Sequence, residues 1–561
     1  MTDPAPLLYD SLANGDVLSV DLQLSAGCDV HLKVERIRGY SSSESPPLFI
    51  AVAHGHVALV QLLLDKGAEA FDPNSDDFPT ALHLLGAFSL DAFTDAYRQI
   101  ARLILETDSA HIETLSQEGQ TPLDVTARHG NLDFMKMLLE FGAQIEGNVS
   151  PLSEAAGGGH MPVVQFLLDQ GVRTDRFPIH NACCGGHVDI VRLLTTYGLD
   201  EGIGPLHMAA AIGHADVVQF LLDNGTVAEA TVEDHQTALH VAATASIARI
   251  LIDSGYNPNA RDSKGATPLF RTCAVFRPSP EASREITAAL LNAGANVNVQ
   301  NNAGETSLWT HINEMRFYDF LDESAIANIE KHFGDAPYLK WAYKPALMAC
   351  RKNNNQRLSC PPLEIIALLL GAGIDIGLRD QRGQTAMHQI VCDRSQLPVQ
   401  GYLECFKLLI KHGADRSVAD VQGLTILHQA AAAGDYPLVE MLIDAGVDVN
   451  ARKTNGQTPL FEAVAAAWST RSQAEVLTLR ILLDNGTDVA AVADDGWTAL
   501  HEAVSNKRRP GRFEAEAVAL LLERGADAAA RDAEGRTVMD IAAKEGDTSI
   551  TKALLASGAS L

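Results

Sequence analysis

The sequence predicts an all-α solenoid of stacked helix-turn-helix units, with an aromatic-rich helical insertion in the middle. Three observations predict it. First, segments of one pattern recur: PPLFIAVAHGHVALVQLLLDKGA at 46–68, TPLDVTARHGNLDFMKMLLEFGA at 121–143, SPLSEAAGGGHMPVVQFLLDQG at 150–171, GPLHMAAAIGHADVVQFLLDNG at 204–225 and TILHQAAAAGDYPLVEMLIDAG at 425–446. Second, a glycine closes each unit: Gly27, Gly67, Gly142, Gly171, Gly198, Gly225, Gly255, Gly294, Gly373, Gly413, Gly446, Gly486, Gly525 and Gly558, with one unit, near Asp108, lacking it. Third, 46 % hydrophobic and 20 % charged residues belong to a folded chain, and the 561 residues need no single large core if layers are stacked.

Each unit opens on a first helix. In T-P-L-F at 267–270 and 458–461 the threonine is placed to cap free backbone N–H groups, and proline takes the first helical position, where no donor is lost. In Thr237-Ala238-Leu239-His240 and Thr498-Ala499-Leu500-His501 alanine replaces the proline. Alanine pairs such as Ala209-Ala210 and Ala242-Ala243 let neighbouring first helices approach closely. Gly-His at 55–56, 159–160, 186–187 and 213–214 ends the helix in a tight turn. A V-V-x-F/L-L-L stripe then buries one side of a second helix, each large apolar side chain contributing roughly 1.5–3 kcal/mol. No unit hides both faces alone, so stacking is obligatory.

This arrangement resembles the ankyrin repeat, over nearly the whole chain and in about fifteen units. The resemblance implies a protein-binding scaffold whose first helices and connecting fingers line a concave face. It also implies structural roles for His83, His207, His240, His388, His428 and His501 in T-x-L-H positions, and for His56, His160, His187 and His214 after the turn glycine.

The array divides into an N-terminal stretch, 1–312, an insertion within one repeat, 313–361, and a continuing stretch, 362–561. The marker glycines from Gly142 to Gly225 are spaced by 29, 27 and 27 residues. Shortened fingers and a smooth inner surface are expected there. Five longer units carry FSLDAFTDAYRQ from Phe88, FRPSPEASRE from Phe276, DRSQLPVQGYLE from Asp393, WSTRSQAEVLT from Trp468 and NKRRPGRFEAE from Asn506. All five fall between first and second helix and are expected to form a lip along one edge.

The 313–361 insertion is the largest departure. Trp309, Phe317, Tyr318, Phe320, Phe333, Tyr338, Trp341 and Tyr343 are eight of the 32 aromatic residues. Such a cluster is either a satellite core over a stretched joint or a binding wall for a protein or an apolar small molecule. His311, Glu314, Asp319, Asp322, Glu330 and His332 flank the rings, and a His–carboxylate pair there is a candidate for acid–base work, against ordinary surface charge. The candidate binding residues are thus Trp309, His311, Phe317, Tyr318, Phe320, His332, Tyr338, Trp341 and Tyr343. Lys507, Arg508, Arg509 and Arg512 form a basic run, which is either a nuclear import signal, a contact for an acidic partner, or a solvated loop.

No other motif carries chemistry. Gly157-Gly158-Gly159 sits in a repeat turn with no preceding strand and no P-loop pattern. The eight cysteines, at 28, 183, 184, 273, 350, 360, 392 and 405, form no C-x-x-C pair and suit buried thiols in a reducing compartment. No metal or cofactor is indicated. MTDPAPLLYD has no basic, apolar signal pattern, and the stretch around 365–374 is too short to span a membrane. A formal charge of -28 repels phosphate backbones, so nucleic acid and anionic membranes are excluded in favour of a protein partner, one with a basic surface included. The expectation is a cytoplasmic adaptor or scaffold, with nuclear entry as an alternative. The rival is a small-molecule binder or unusual biosynthetic enzyme with a pocket beside 309–343.

Overall fold

A computed structural model gives the fold. It describes the chain except residues 1–4, 33, 36–43, 73–77, 90–91, 146–149, 173–177, 200–203, 226–232, 273–279, 315–361, 392–398, 470–472, 506–513, 546–547 and 557–561. The described residues form two compact units, 1–232 and 233–561. In both, the all-α expectation holds: among the described residues the paired strands are two residues each, Val34–Glu35 against Glu44–Ser45.

In the first unit, the first helices Pro47–Ala53, Ala81–Gly86, Pro122–His129, Pro151–Gly158, Pro178–Gly185 and Gly204–Ile212 stack one on the next. Small residues set how closely. A Cβ on Gly185 would lie 2.6 Å from the Gly157 carbonyl, so only hydrogen fits between these two layers. Second helices such as Val57–Asp65, Leu132–Glu140 and Met161–Asp169 carry the apolar stripe; Val163, Val164 and Leu167 are fully buried. The fingers of the closely spaced units fall at 146–149, 173–177, 200–203 and 226–232, outside the described residues.

The second unit stacks Ala238–Val241, Pro268–Arg271, Ser307–Glu314, Ala386–Gln389, Ile426–Ala432, Pro459–Ser469, Ala499–Ser505 and Val538–Glu545 in the same way. Ser307–Glu314 packs on Ala386–Gln389 and, within its own layer, on Pro362–Gly371. The two helices of this layer therefore pack together across the 313–361 insertion in the sequence, of which 315–361 lie outside the described residues.

Three sequence expectations need correction. The insertions do not lie wholly between the first and second helices. Helices Asp95–Thr107, Pro280–Asn292, Val399–Lys411 and Gln473–Asp484 run 12 to 13 residues, where Val57–Asp65 and its like run 9. The second half of each of these insertions lengthens the second helix. In the first of them Phe93 is buried and its ring meets Phe134 at 5.3 Å, so this part is core. Ala242-Ala243 does not lie inside a helix: the first helix stops at Val241, and Ala242 turns to ψ 118 before Thr244 caps Ala245–Asp253. This unit has no Gly-His turn, and the missing residues come out of its first helix. Finally, the threonine cap fails in both T-P-L-F sequences. Thr267 makes no side-chain cap bond, and Thr458 Oγ1 is buried without a hydrogen bond. The next section gives the reason.

Candidate functional site

The third residue of the first helix decides whether its threonine caps. In T-x-L-H the histidine ring folds back: at His240 and His388, Nδ1 accepts the backbone N–H of Thr237 and Thr385, each at 3.1 Å, and lies within 3.1 Å of the threonine hydroxyl. This is a reciprocal capping box with imidazole in the usual place of a carboxylate. Thr121-Pro122-Leu123-Asp124 builds the same box with Asp124. Phenylalanine in T-P-L-F can accept nothing, so the hydroxyls of Thr267 and Thr458 have no such partner.

The other ring nitrogen reaches the next layer. His83 Nε2 donates to Gln120 O at 3.0 Å, His240 to Ala266 O at 3.2 Å, His388 to Leu424 O at 3.3 Å and His428 to Gln457 O at 3.3 Å. The turn histidines reach the preceding layer instead, always the carbonyl two residues before its turn glycine. His56 meets Ala13 O, His160 meets Arg128 O, His187 meets Gly157 O and His214 meets Cys184 O. In the 81–107 layer, which has no Gly-His turn, Tyr97 Oη takes over and donates to Ala53 O at 2.9 Å. The structural role implied for these histidines is visible in each bond. Burial pushes His83 down to about 4 and lowers His388 and His428, so these rings are neutral braces; burial lowers His501 as well, but its Nε2 is buried without a hydrogen bond.

Of the sequence-predicted binding residues, Trp309 and His311 are described, and both lie in the core, 2 % and 0 % exposed. His311 Nδ1–H donates to Ser307 O at 2.5 Å, and Nε2 lies 3.0 Å from Thr272 Oγ1. Burial pushes its pKa down to about 4. Phe317, Tyr318, Phe320, His332, Tyr338, Trp341 and Tyr343 lie outside the described residues, as do Asp319, Asp322 and Glu330 and the basic run Lys507, Arg508, Arg509 and Arg512. Among the described residues no group of three or more His, Cys, Asp or Glu is placed to hold a metal, and no helix is long and apolar enough to cross a membrane.

What the structure does assemble is a row that the sequence reading missed. In the second unit, the residue four after the opening threonine is apolar and buried in the two flanking layers, Val241 and Ile541, and half-buried and polar in the six successive layers between them, Arg271, Thr310, Gln389, Gln429, Glu462 and Glu502. Successive first helices carry these side chains past one another, from cationic through neutral to anionic. Arg271 is tied to the buried Asp262 at 3.0 Å and Glu462 to Lys453 at 2.7 Å. Glu502 is raised above the usual carboxylate range by burial and by the carboxylates of Glu462 and Asp495. In the first unit the equivalent positions after Thr80 and Thr121 are Leu84 and Val125, both buried. The signal was present as the fifth letter of TPLFR, TSLWT, TAMHQ, TILHQ, TPLFE and TALHE.

Beside this row, hairpins connect the layers. Five of them carry Asp/Asn-x-x-Gly, led by Asp262, Asn301, Asp380, Asp420 and Asp532, and the leading side chain accepts its own turn's N–H groups, as Asp380 Oδ1 does from Arg382 and Gln384 at 2.8 Å; in the other two, Asn455 and Asp495, just before the glycine, accept a turn N–H instead. Their tips are joined by backbone bonds: Asn302 N–H to Lys264 O, Gln381 to Ala303 O, Val421 to Arg382 O, Thr454 to Gln422 O, Asp494 to Asn455 O and Ala533 to Asp495 O, all at 2.9 to 3.2 Å. A second staple runs at the hairpin base. Arg261 donates to Gln300 O, Gln300 Nε2 to Arg379 O, Arg379 to Ala419 O and Arg452 to Val492 O, while Arg531, in the final hairpin, folds back onto its own Gly535 O. Two-helix layers, hairpins joined tip to tip and neutral histidine braces together describe one repeat type.

A family model described as ankyrin repeats matches overlapping segments covering 48–301 and 347–561. This chain belongs to the ankyrin-repeat family. Similar proteins include a Caenorhabditis briggsae ankyrin repeat and KH domain-containing protein, 32 % identical over 132 residues, or 23 % of this chain and 5 % of that one. The Caenorhabditis elegans ankyrin repeat and KH domain-containing protein mask-1 is 31 % identical over 163 residues, covering 29 % and 6 %. The chicken nuclear factor NF-kappa-B p105 subunit is 29 % identical over 227 residues, covering 40 % of this ankyrin-repeat protein and 20 % of the chicken one. In each case the chain spans only a minor part of the relative.

Proposed function

We propose that this ankyrin-repeat protein is a non-catalytic adaptor or scaffold that holds a folded protein on the first-helix face of its 233–561 unit. The observation that carries this reading is the row Arg271, Thr310, Gln389, Gln429, Glu462 and Glu502. The T-x-L-H histidines of these helices are buried, and His240, His388 and His428 each bond a carbonyl of the next layer. A graded row on a braced scaffold loses little entropy on binding and selects a partner by charge. The Glu462–Glu502 end fits a basic patch on that partner. The described cysteines Cys28, Cys183, Cys184 and Cys405 form no disulfide with one another, in keeping with a reducing, cytoplasmic setting.

The test is affinity capture from lysate of the native cell with the full chain, followed by cross-linking to map the contact. Gln429→Arg and Glu502→Lys are each expected to weaken capture of the main partner about tenfold or more. Circular dichroism would confirm that both variants fold. A partner that cross-links elsewhere and is held equally well by both variants would refute the assignment.

A further inference from the structure

The hairpin edge of the second unit carries its own pattern. Four successive tips read Gln381-Arg382, Val421-Gln422, Thr454-Asn455 and Asp494-Asp495, and all eight residues are exposed. In order, the row is cationic, apolar, neutral and doubly anionic. Val421 is 69 % exposed, the most exposed large apolar residue described in this unit, and Val492, on the same edge, is 44 % exposed. Among the described residues no ion pair engages Arg382, Asp494 or Asp495; Asp495 Oδ1 accepts the Trp497 N–H at 3.0 Å, so Asp494 is the more available of the two carboxylates. Neighbouring charges are already taken: Asp380 and Asp420 accept their own turns' N–H groups, Arg379 and Arg452 donate along the row, and Lys453 pairs with Glu462. The tips are fixed to one another by Val421 N–H to Arg382 O at 3.0 Å, Thr454 N–H to Gln422 O at 2.9 Å and Asp494 N–H to Asn455 O at 3.0 Å. They therefore present a pre-formed strip.

A strip with this order is complementary to itself when reversed. A two-fold axis between the second and third tips exchanges the first with the fourth and the second with the third. Arg382 of one copy then meets Asp494 and Asp495 of the other, and Val421 lies against the Thr454 methyl. Each contact is made twice, as an isologous interface requires. Parallel alignment would instead set like charges opposite each other. The geometry points to a second copy of this chain as the occupant: two molecules pair antiparallel through the hairpin tips 381–382, 421–422, 454–455 and 494–495. The pairing does not rest on the adaptor reading, because it leaves the first-helix row uncovered.

Sedimentation velocity on the full chain, at up to about 50 µM and about 50 mM salt, tests it. The wild type is expected to dimerise, with a dissociation constant that rises with salt. Arg382→Glu and Asp494→Arg are each expected to weaken the dimer about tenfold or more, since each places like charges in contact twice. The combined variant, R382E with D494R, restores opposite charges across the axis and is expected to recover the dimer. Thermal melts matching the wild type would show that all variants fold. A monomeric wild type, single variants that pair as tightly as wild type, or a folded double variant that stays monomeric would each overturn the proposal. None of these outcomes bears on partner capture by the first-helix row.

Discussion

His83 Nε2 donates to the Gln120 carbonyl at 3.0 Å while its Nδ1 lies 2.8 Å from the Thr80 hydroxyl, so one neutral ring holds the threonine that caps its helix and latches the next layer. The arrangement fixes the tautomer. Nδ1 must accept and Nε2 must donate, and a second proton on Nδ1 would face the threonine donor. The same conflict recurs at His240, His388, His428 and His501.

Acid should therefore loosen the stack well above the carboxylate range. His83 and His311 are held down to about 4 by burial, against 6.5 when exposed. A base with a depressed folded pKa contributes stability that is complete above about 6.5 and is lost as pH falls toward 4, up to about 3 kcal/mol for each ring. Asp124 works in the opposite sense. Burial raises it to about 6, so its contribution grows as pH falls through that value. Glu502, also raised by burial, acts in the same sense, and these two carboxylates set against several histidines leave the net loss on the acid side. Melts from pH 7.5 down to pH 5 should show a steady fall in midpoint. A flat profile over that range would remove the braces from the account.

Much of this was legible in the letters. The two-helix layer, its turn glycines and the structural histidines follow from a pattern repeated many times, and repetition separates a constraint from an accident. The missed features share a physical cause. Thr458 and Thr425 look alike as cap residues, and only the side chain three positions on, Phe461 or His428, shows which hydroxyl finds a partner. The inserted residues before Arg98 interrupt the period, so the letters do not show that the second helix starts at Asp95 or that Phe93, just before it, is buried against Phe134. The Arg271 to Glu502 row is invisible within any one layer and emerges when layers are stacked.

The two threonines give a paired test. Thr425 Oγ1 lies 2.8 Å from His428 Nδ1 and accepts the His428 N–H, whereas Thr458 Oγ1 is buried with no bond. Thr425→Val should cost about 1–2 kcal/mol, since it strips the cap and leaves a buried imidazole nitrogen without its hydroxyl donor. Thr458→Val should be neutral, or stabilise by up to about 1 kcal/mol, because it removes an unpaired hydroxyl and keeps the shape. Native-state hydrogen exchange, read separately for peptides covering 425–434 and 458–466, reports each layer. Equal costs at the two sites would contradict the reading of the third helical residue as the deciding partner.

Gly159 and Gly171 separate backbone strain from contact. Their φ angles are +80° and +81°, so an alanine at either meets the same left-handed penalty, about 1 kcal/mol. Around Gly171 a Cβ would find open space, but at Gly159 it would stand 2.5 Å from the His187 ring. That ring is held in place by its bond to Gly157 O at 3.2 Å and cannot move aside without breaking it. Gly171→Ala should therefore cost the strain alone. Gly159→Ala should cost about 1 kcal/mol more and release His187. Nitrogen-15 chemical shifts of the His187 imidazole register the loss directly: they should move in Gly159→Ala and stay fixed in Gly171→Ala. If both variants lose the same stability and leave the ring signal unchanged, the turn histidine is a passenger and the bond to the preceding layer carries no load.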